Sequence, residues 1–169
     1  MFGCIALVHS GVSLASPSID VCDQIATVKY GDITDFSNFM GAVIDERAWD
    51  RLRKVVEEAA ADSQTKVLSG AKADSSVGYF IAPTLYQTEN MGSALLHDEL
   101  FGPIATVVVY EENAFDEIVN EIDGMSGYGL TGCIFASERR VINKAADGLR
   151  YAAGNFYVND KPTGAVVGQ

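Results

Sequence analysis

The fold is decided by residues 104–158, which read IATVVVYEENAFDEIVNEIDGMSGYGLTGCIFASERRVINKAADGLRYAAGNFYV. The stretch opens with a β-branched run, Ile104–Val109, that is typical of a buried strand. Two further short apolar runs, Leu130–Phe135 and Asn155–Val158, predict two more strands.

Two amphipathic segments separate these strands. Asn113 is expected to cap the first helix, whose apolar face ends at Gly124, and Ser137 is expected to cap the second. Strands that alternate with helices over short connections favour parallel pairing through crossovers. The sequence therefore predicts an α/β fold, a mostly parallel sheet with helices on its faces.

The preceding residues extend the same pattern. Asp45 is a plausible N-cap for a helix from Glu46 to about Asp62, because its apolar positions recur at intervals of three and four. Short apolar stretches at 66–69 and 79–85 follow. We expect one partial catalytic-type domain over residues 27–169.

Composition limits the classes of function. The chain has 169 residues, 48% of them hydrophobic, and a formal net charge of -11. An acidic surface argues against nucleic acid or an anionic membrane as the main partner, and no apolar run approaches the roughly 20 residues of a membrane span. Three scattered cysteines, Cys4, Cys22 and Cys133, fit neither a disulfide framework nor a zinc site, so we expect no metal.

Residues 1–26 form an atypical N-terminal segment. The segment is apolar and serine-rich and lacks the basic residues of a secretory or mitochondrial leader. We interpret it as a segment that is either disordered or wrongly annotated.

A candidate binding site precedes the strand at Ile104. The phrase Glu99-Leu100-Phe101-Gly102-Pro103 places a carboxylate two residues from an aromatic ring. A carboxylate can accept hydrogen bonds from the two hydroxyls of a ribose while a ring packs beside a nicotinamide. The alternative is an ordinary Gly-Pro turn that delivers the chain into the strand.

The same phrase resembles the Glu-x-Phe-Gly-Pro motif of the aldehyde dehydrogenase superfamily, and residues 78–85 and 128–132 agree with that family in order and spacing. The resemblance implies NAD as cofactor. It also implies that Glu99 holds the nicotinamide ribose and that Phe101 flanks the nicotinamide ring.

Residues 152–169, AAGNFYVNDKPTGAVVGQ, resemble the 1-pyrroline-5-carboxylate dehydrogenases within that superfamily. The resemblance covers roughly residues 27–169 and implies that backbone amides at Gly164 and Ala165 anchor the α-carboxylate of the substrate, L-glutamate γ-semialdehyde. Consecutive amides with little side-chain bulk can form such an anion-binding nest, although an ordinary glycine turn is the plainer interpretation.

The family's Gly-Gln-x-Cys phrase, which carries the nucleophilic thiol, is not found in these residues. We therefore name no catalytic residue and expect a fragment of a dehydrogenase of proline catabolism that is inactive alone. Two alternatives stay open: a fragment of another aldehyde dehydrogenase, and a non-catalytic interaction module derived from one. The resemblance further implies homo-oligomers for full-length members, and a mitochondrial matrix location in a eukaryote or a cytoplasmic one otherwise.

Overall fold

The structure is a computed structural model that describes residues 4–9, 17–125 and 127–162. The chain divides into two compact units, residues 1–112 and residues 113–169.

Within its described residues, the first unit contains six strands and three helices. In chain order they are β1 (Cys4–His9), α1 (Pro17–Thr27), α2 (Glu46–Ala61), β2 (Thr65–Ser69), β3 (Ala73–Asp74), β4 (Phe80–Ile81), β5 (Thr84–Thr88), α3 (Ala94–His97) and β6 (Ile104–Tyr110). The main sheet has the order β1-β6-β5-β2. Strand β6 pairs in parallel with both β1 and β5, whereas β2 pairs antiparallel with β5.

The core of the first unit lies between α2 and this sheet. Buried side chains of α2 pack with others from the strands and the loop before β6: Leu52, Val56, Ala59, Ile81, Tyr86, Leu95, Leu100 and Ile104. Helix α2 begins as predicted, because the Asp45 carboxylate accepts a hydrogen bond from the Ala48 amide at 2.8 Å.

The second unit begins within a 3-10 turn at Glu112–Ala114. It contains α4 (Phe115–Met125), β7 (Thr131–Ile134), α5 (Arg139–Gly148) and β8 (Asn155–Val158). Strands β7 and β8 pair in parallel. A second core forms around Val119, Ala145 and Leu149.

The α/β prediction with mostly parallel pairing is confirmed. Strand β6 is buried at alternate positions, with Ile104, Thr106 and Val108 nearly inaccessible. The apolar run at 79–85 contributes to two strands, β4 and β5. Pro83 lies between them, and a residue without an amide hydrogen cannot continue a sheet ladder.

Both predicted caps of the second unit are wrong. Asn113 lies inside the 3-10 turn, so α4 begins at Phe115. At α5 the N-cap is Glu138 rather than Ser137, and its side chain makes no capping hydrogen bond. Gly124 is the last residue but one of α4, so the predicted end of this helix lies within one residue of the observed end.

Within residues 1–26, the described parts include β1 and most of α1. The interpretation of residues 1–26 as a separate segment that is disordered or wrongly annotated stays a prediction, as does its boundary near residue 27.

Candidate functional site

The loop between α3 and β6 alternates between core and surface. Leu100 is buried in the core of the first unit, and Gly102 and Pro103 are buried as well. Between them, Phe101 is 58% exposed and Glu99 is half-buried. The core contacts of their neighbours thus hold these two side chains toward solvent, two residues apart.

Gly102 fixes the height of this loop above α2. A Cβ at Gly102 would lie 2.6 Å from Cδ2 of Leu52, which is fully buried. The loop then enters the sheet through two hydrogen bonds. The Ile104 amide donates to the Gly102 carbonyl at 2.9 Å, and the Thr84 amide donates to the Pro103 carbonyl at 2.8 Å. A larger side chain at residue 102 would lift the loop away from α2.

Phe101 adopts a backbone conformation that is rare for its residue type. Its φ is 49°, in the left-handed region that favours glycine. Residues held in this region cost of the order of 1–3 kcal/mol and cluster at functional sites. Phe101 thus combines a rare backbone conformation with 58% exposure, a combination that is common at binding sites.

The Glu99 carboxylate has the chemistry expected of a hydroxyl acceptor. Among the described residues it forms no ion pair and no hydrogen bond, so its oxygens are available to a ligand. Glu99 and Phe101 are therefore brought together at one exposed loop, as the motif predicts. This loop lies at the amino end of β6, whereas ligand loops of open α/β sheets usually leave the carboxyl ends of strands.

The predicted substrate residues Gly164 and Ala165 lie outside the described residues. The chain that leads toward them leaves β8 at Asn159, which sequence reasoning overlooked. Asn159 has a φ of 55° and exchanges two side-chain hydrogen bonds with the backbone of Ala136. A left-handed turn is favoured by asparagine among non-glycine residues, so this identity at the end of a predicted strand was the available signal.

Two classes of site receive no support within residues 4–9, 17–125 and 127–162. Nowhere in these ranges do three or more histidine, cysteine or acidic side chains gather in a way that could hold a metal ion. In the same ranges no helix has the length and apolar character that crossing a membrane requires.

The chain was compared with models of known protein families. The sequence model of the aldehyde dehydrogenase family matches residues 6–169. The match begins before residue 27, so the likeness extends further toward the N-terminus than the motifs indicate.

Relatives with similar sequences are named as one particular enzyme of this family. The chain is 48% identical over 151 residues to a probable delta-1-pyrroline-5-carboxylate dehydrogenase of Schizosaccharomyces pombe, which covers 89% of this chain and 28% of that protein. It is 45% identical over 166 residues to the mitochondrial delta-1-pyrroline-5-carboxylate dehydrogenase of Emericella nidulans, covering 96% of this chain and 29% of the relative.

A solved structure gives the same result. The delta-pyrroline-5-carboxylate dehydrogenase of Mycobacterium tuberculosis bound with NAD superposes with a TM-score of 0.86 at 39% identity, covering 98% of this chain and 30% of that one. This chain thus spans somewhat under a third of the length of the relatives that it matches. The chain belongs to the aldehyde dehydrogenase family.

Proposed function

We propose that this chain is a segment of an NAD-dependent dehydrogenase that oxidises L-glutamate γ-semialdehyde, the open form of 1-pyrroline-5-carboxylate, to L-glutamate. The observation that carries the proposal is the loop before β6, where an unpaired carboxylate lies two residues from an exposed, backbone-strained phenylalanine. The names of the relatives at 45–48% identity support the substrate.

The two loop residues would hold the cofactor. Glu99 offers two carboxylate oxygens to the vicinal hydroxyls of the nicotinamide ribose, and Phe101 offers a ring face beside the nicotinamide. NAD, when bound, supplies the acceptor for the hydride that leaves the substrate. Because Gly102 and Leu100 fix the backbone on either side of Phe101, the ring would be oriented before the cofactor arrives.

Gly164 and Ala165 would bind the substrate. Backbone amides at Gly164 and Ala165 would donate to the α-carboxylate of glutamate semialdehyde, since neither residue carries a bulky side chain. Alanine at residue 165 has no hydroxyl, so only backbone donors are available there.

The covalent step would come from residues of the full-length enzyme that this sequence does not include. Family chemistry uses a thiolate that captures the aldehyde carbon and so prepares it to release hydride. Cys22 and Cys133 are half-exposed, yet neither lies in a Gly-Gln-x-Cys phrase. We therefore infer no turnover from this chain alone. The mitochondrial names of eukaryotic relatives support a mitochondrial location if the chain is eukaryotic.

The role of Glu99 can be tested in a chimera in which residues 6–169 replace the matching stretch of the Schizosaccharomyces pombe relative. Glu99→Gln removes charge from a hydrogen-bond acceptor and should raise the Michaelis constant for NAD by about tenfold or more, as expected for a loss of about 1–3 kcal/mol. Steady-state kinetics with NAD as the varied substrate measures the change.

The matched control is Asp98→Asn, which removes the same charge one residue away, where the side chain is exposed. This variant should behave like the parent chimera. Equal Michaelis constants for NAD in the Glu99→Gln variant and the parent would remove Glu99 from the cofactor site.

A further inference from the structure

The side chain of His97 ties the short helix α3 to the turn that precedes it. His97 is the last residue of α3, and its Nε2 nitrogen lies 2.8 Å from the carbonyl oxygen of Met91. A carbonyl oxygen can only accept a hydrogen bond, so the ring nitrogen that faces it carries a proton and donates. This hydrogen bond links the end of α3 to a residue six positions earlier in the chain.

The turn at Met91 is itself attached to the main sheet. The Asn90 amide donates to the hydroxyl of Thr88 at 3.1 Å, and Thr88 is the buried last residue of β5. The side chain and carbonyl of Asn90 accept from the amides of Gly92 and Ser93 at 2.9 and 3.0 Å, respectively. The carbonyl of Met91 therefore lies in a turn that hydrogen bonds hold against the sheet.

Helix α3 is too short to keep its geometry through backbone hydrogen bonds alone. A single turn of four residues is marginal in water, because few hydrogen bonds offset the cost of ordering it. The buried side chains of α3 are Leu95 and Leu96, and the next buried residue is Leu100. Glu99 lies in the link between these core positions, two residues after His97. The hydrogen bond of His97 thus constrains the residue with which that link begins.

We propose that His97 is a positioning residue for the cofactor site: by tying the end of α3 to the turn at Met91, it fixes the place from which Glu99 reaches the nicotinamide ribose. The inference rests on the proposed function, because it needs the Glu99 carboxylate to bind NAD. His97 acts through the backbone and through Glu99, and it is assigned no contact with substrate or cofactor. The contact of Gly102 with Leu52 fixes the other side of the same loop.

The first test is kinetic and uses the chimera defined above. His97→Ala removes the hydrogen bond to Met91, so the Michaelis constant for NAD should rise by about three- to tenfold, as expected for one hydrogen bond of ordinary strength. The Michaelis constant for glutamate semialdehyde should stay within about twofold of the parent value, because the proposed substrate residues are untouched. Steady-state kinetics with each substrate varied in turn provides the comparison.

Two amide side chains separate the effect of the hydrogen bond from that of the ring. Glutamine places its side-chain nitrogen at nearly the same distance from the backbone as Nε2 of histidine, and this nitrogen donates, whereas asparagine is shorter by one methylene group. His97→Gln should therefore recover most of the affinity for NAD that His97→Ala loses, and His97→Asn should behave like His97→Ala. Equal Michaelis constants for NAD in the glutamine and asparagine variants would show that reaching Met91 does not matter, and would overturn the positioning role.

The coupling between His97 and Glu99 distinguishes positioning from general stabilisation. If His97 acts through Glu99, its removal should have little further effect once the carboxylate is gone. The Michaelis constant for NAD in the double variant, His97→Ala with Glu99→Gln, should thus stay within about twofold of that of Glu99→Gln alone. A merely structural role would instead multiply the two single effects, and that result would overturn the inference.

Hydrogen exchange follows the same contact without catalysis. In His97→Ala of the 169-residue chain, the Asp98 amide, which donates to the Ala94 carbonyl at 2.9 Å, should exchange faster with solvent. The Thr84 amide, which donates to the Pro103 carbonyl at 2.8 Å, should keep its protection. Unchanged exchange at Asp98 would overturn the inference. Loss of protection at both amides would overturn it too, because His97 would then stabilise the first unit as a whole.

The outcomes separate the two proposals. A Glu99→Gln variant whose Michaelis constant for NAD equals that of the parent overturns the cofactor role of Glu99, and the positioning role of His97 with it. If Glu99→Gln raises this constant while His97→Ala leaves it at the parent value, the positioning role alone is overturned.

Discussion

At the scale of single residues, the placement of Glu99 and Phe101 depends on a glycine. Gly102 packs against Leu52, and an added Cβ would lie 2.6 Å from Cδ2 of that side chain. Gly102→Ala should therefore lower the free energy of unfolding by about 1–3 kcal/mol, the usual cost of inserting a methyl group into a packed contact. Urea denaturation followed by circular dichroism measures the change.

At Gly124 the same change from glycine to alanine should have the opposite effect on stability. It lies inside α4, and a Cβ there would meet nothing within 4 Å. Gly124→Ala should raise the stability of the second unit by about 0.5–1 kcal/mol, because alanine is the better helix former. If Gly102→Ala proved as harmless as Gly124→Ala, the loop would not be held by its contact with Leu52.

Tyr86 makes the stability of the first unit depend on pH. Its side chain is fully buried, and its hydroxyl has no hydrogen-bond partner among the described residues. Burial raises its pKa to about 12, from an ordinary value of 10.0. Because the folded state keeps the proton that the unfolded chain loses, stability is fully present below pH 10 and falls between pH 10 and about pH 12.

Tyr86→Phe removes the buried hydroxyl that titrates and that has no hydrogen-bond partner among the described residues. The variant should be at least as stable as the parent at neutral pH, and it should lose roughly 2–3 kcal/mol less between pH 10 and pH 12. Urea denaturation at several alkaline pH values, followed by the fluorescence of Trp49, provides the comparison. Identical alkaline profiles would mean that the Tyr86 hydroxyl is solvated in the folded protein.

At the scale of secondary-structure elements, helices α2 and α5 begin differently. The Asp45 side chain caps α2, whereas the Glu138 side chain makes no capping hydrogen bond at α5. Asp45→Ala should cost about 0.5–2 kcal/mol in the free energy of unfolding. Glu138→Ala should cost much less, since its exposed contact with Arg140 at 3.9 Å contributes little. Equal losses in the two variants would contradict this assignment of caps.

The same elements show how far sequence predicts this fold. Apolar periodicity located the helices α2, α4 and α5, and apolar runs located the strands β6, β7 and β8, because each element contributes apolar side chains to one of the two cores. It failed where local signals compete. Asn113 and Ser137 are good capping residues, yet the chain forms a 3-10 turn at the first and starts α5 two residues after the second.

In the candidate site, too, some features could be predicted from the sequence and others could not. Glu99 and Phe101 could be predicted because they lie in a short contiguous motif. The contact of Gly102 with Leu52 and the hydrogen bonds of Asn159 with Ala136 could not, because they join residues 50 and 23 positions apart that only the folded chain brings together. The left-handed backbone of Phe101 could not be predicted either, because phenylalanine rarely adopts that conformation.

At the scale of the whole molecule, each unit displays large apolar side chains to solvent. In the first unit Phe36 is 97% exposed, and in the second Tyr151 is 86% exposed. Near Phe36 in the chain, Ile33, Phe39 and Ile44 are also 77%, 75% and 93% exposed. Apolar exposure concentrated in one short segment favours a surface that another part of a protein covers, which agrees with a chain that matches under a third of the length of its relatives.

We propose that this chain supplies cofactor and substrate contacts to a dehydrogenase whose nucleophile lies in another part of the enzyme. The most direct measurement compares NADH formation from glutamate semialdehyde and NAD by the purified 169-residue chain and by the chimera. The chain alone should show no NADH absorbance above a buffer control, because no positioned thiolate captures the aldehyde and an orientation contribution of roughly 7–11 kcal/mol is lost. The chimera should turn over. Sustained turnover by the chain alone that Cys4→Ser or Cys22→Ser abolishes would show that the chain carries its own nucleophile. A folded chimera that forms no NADH would overturn the proposed function.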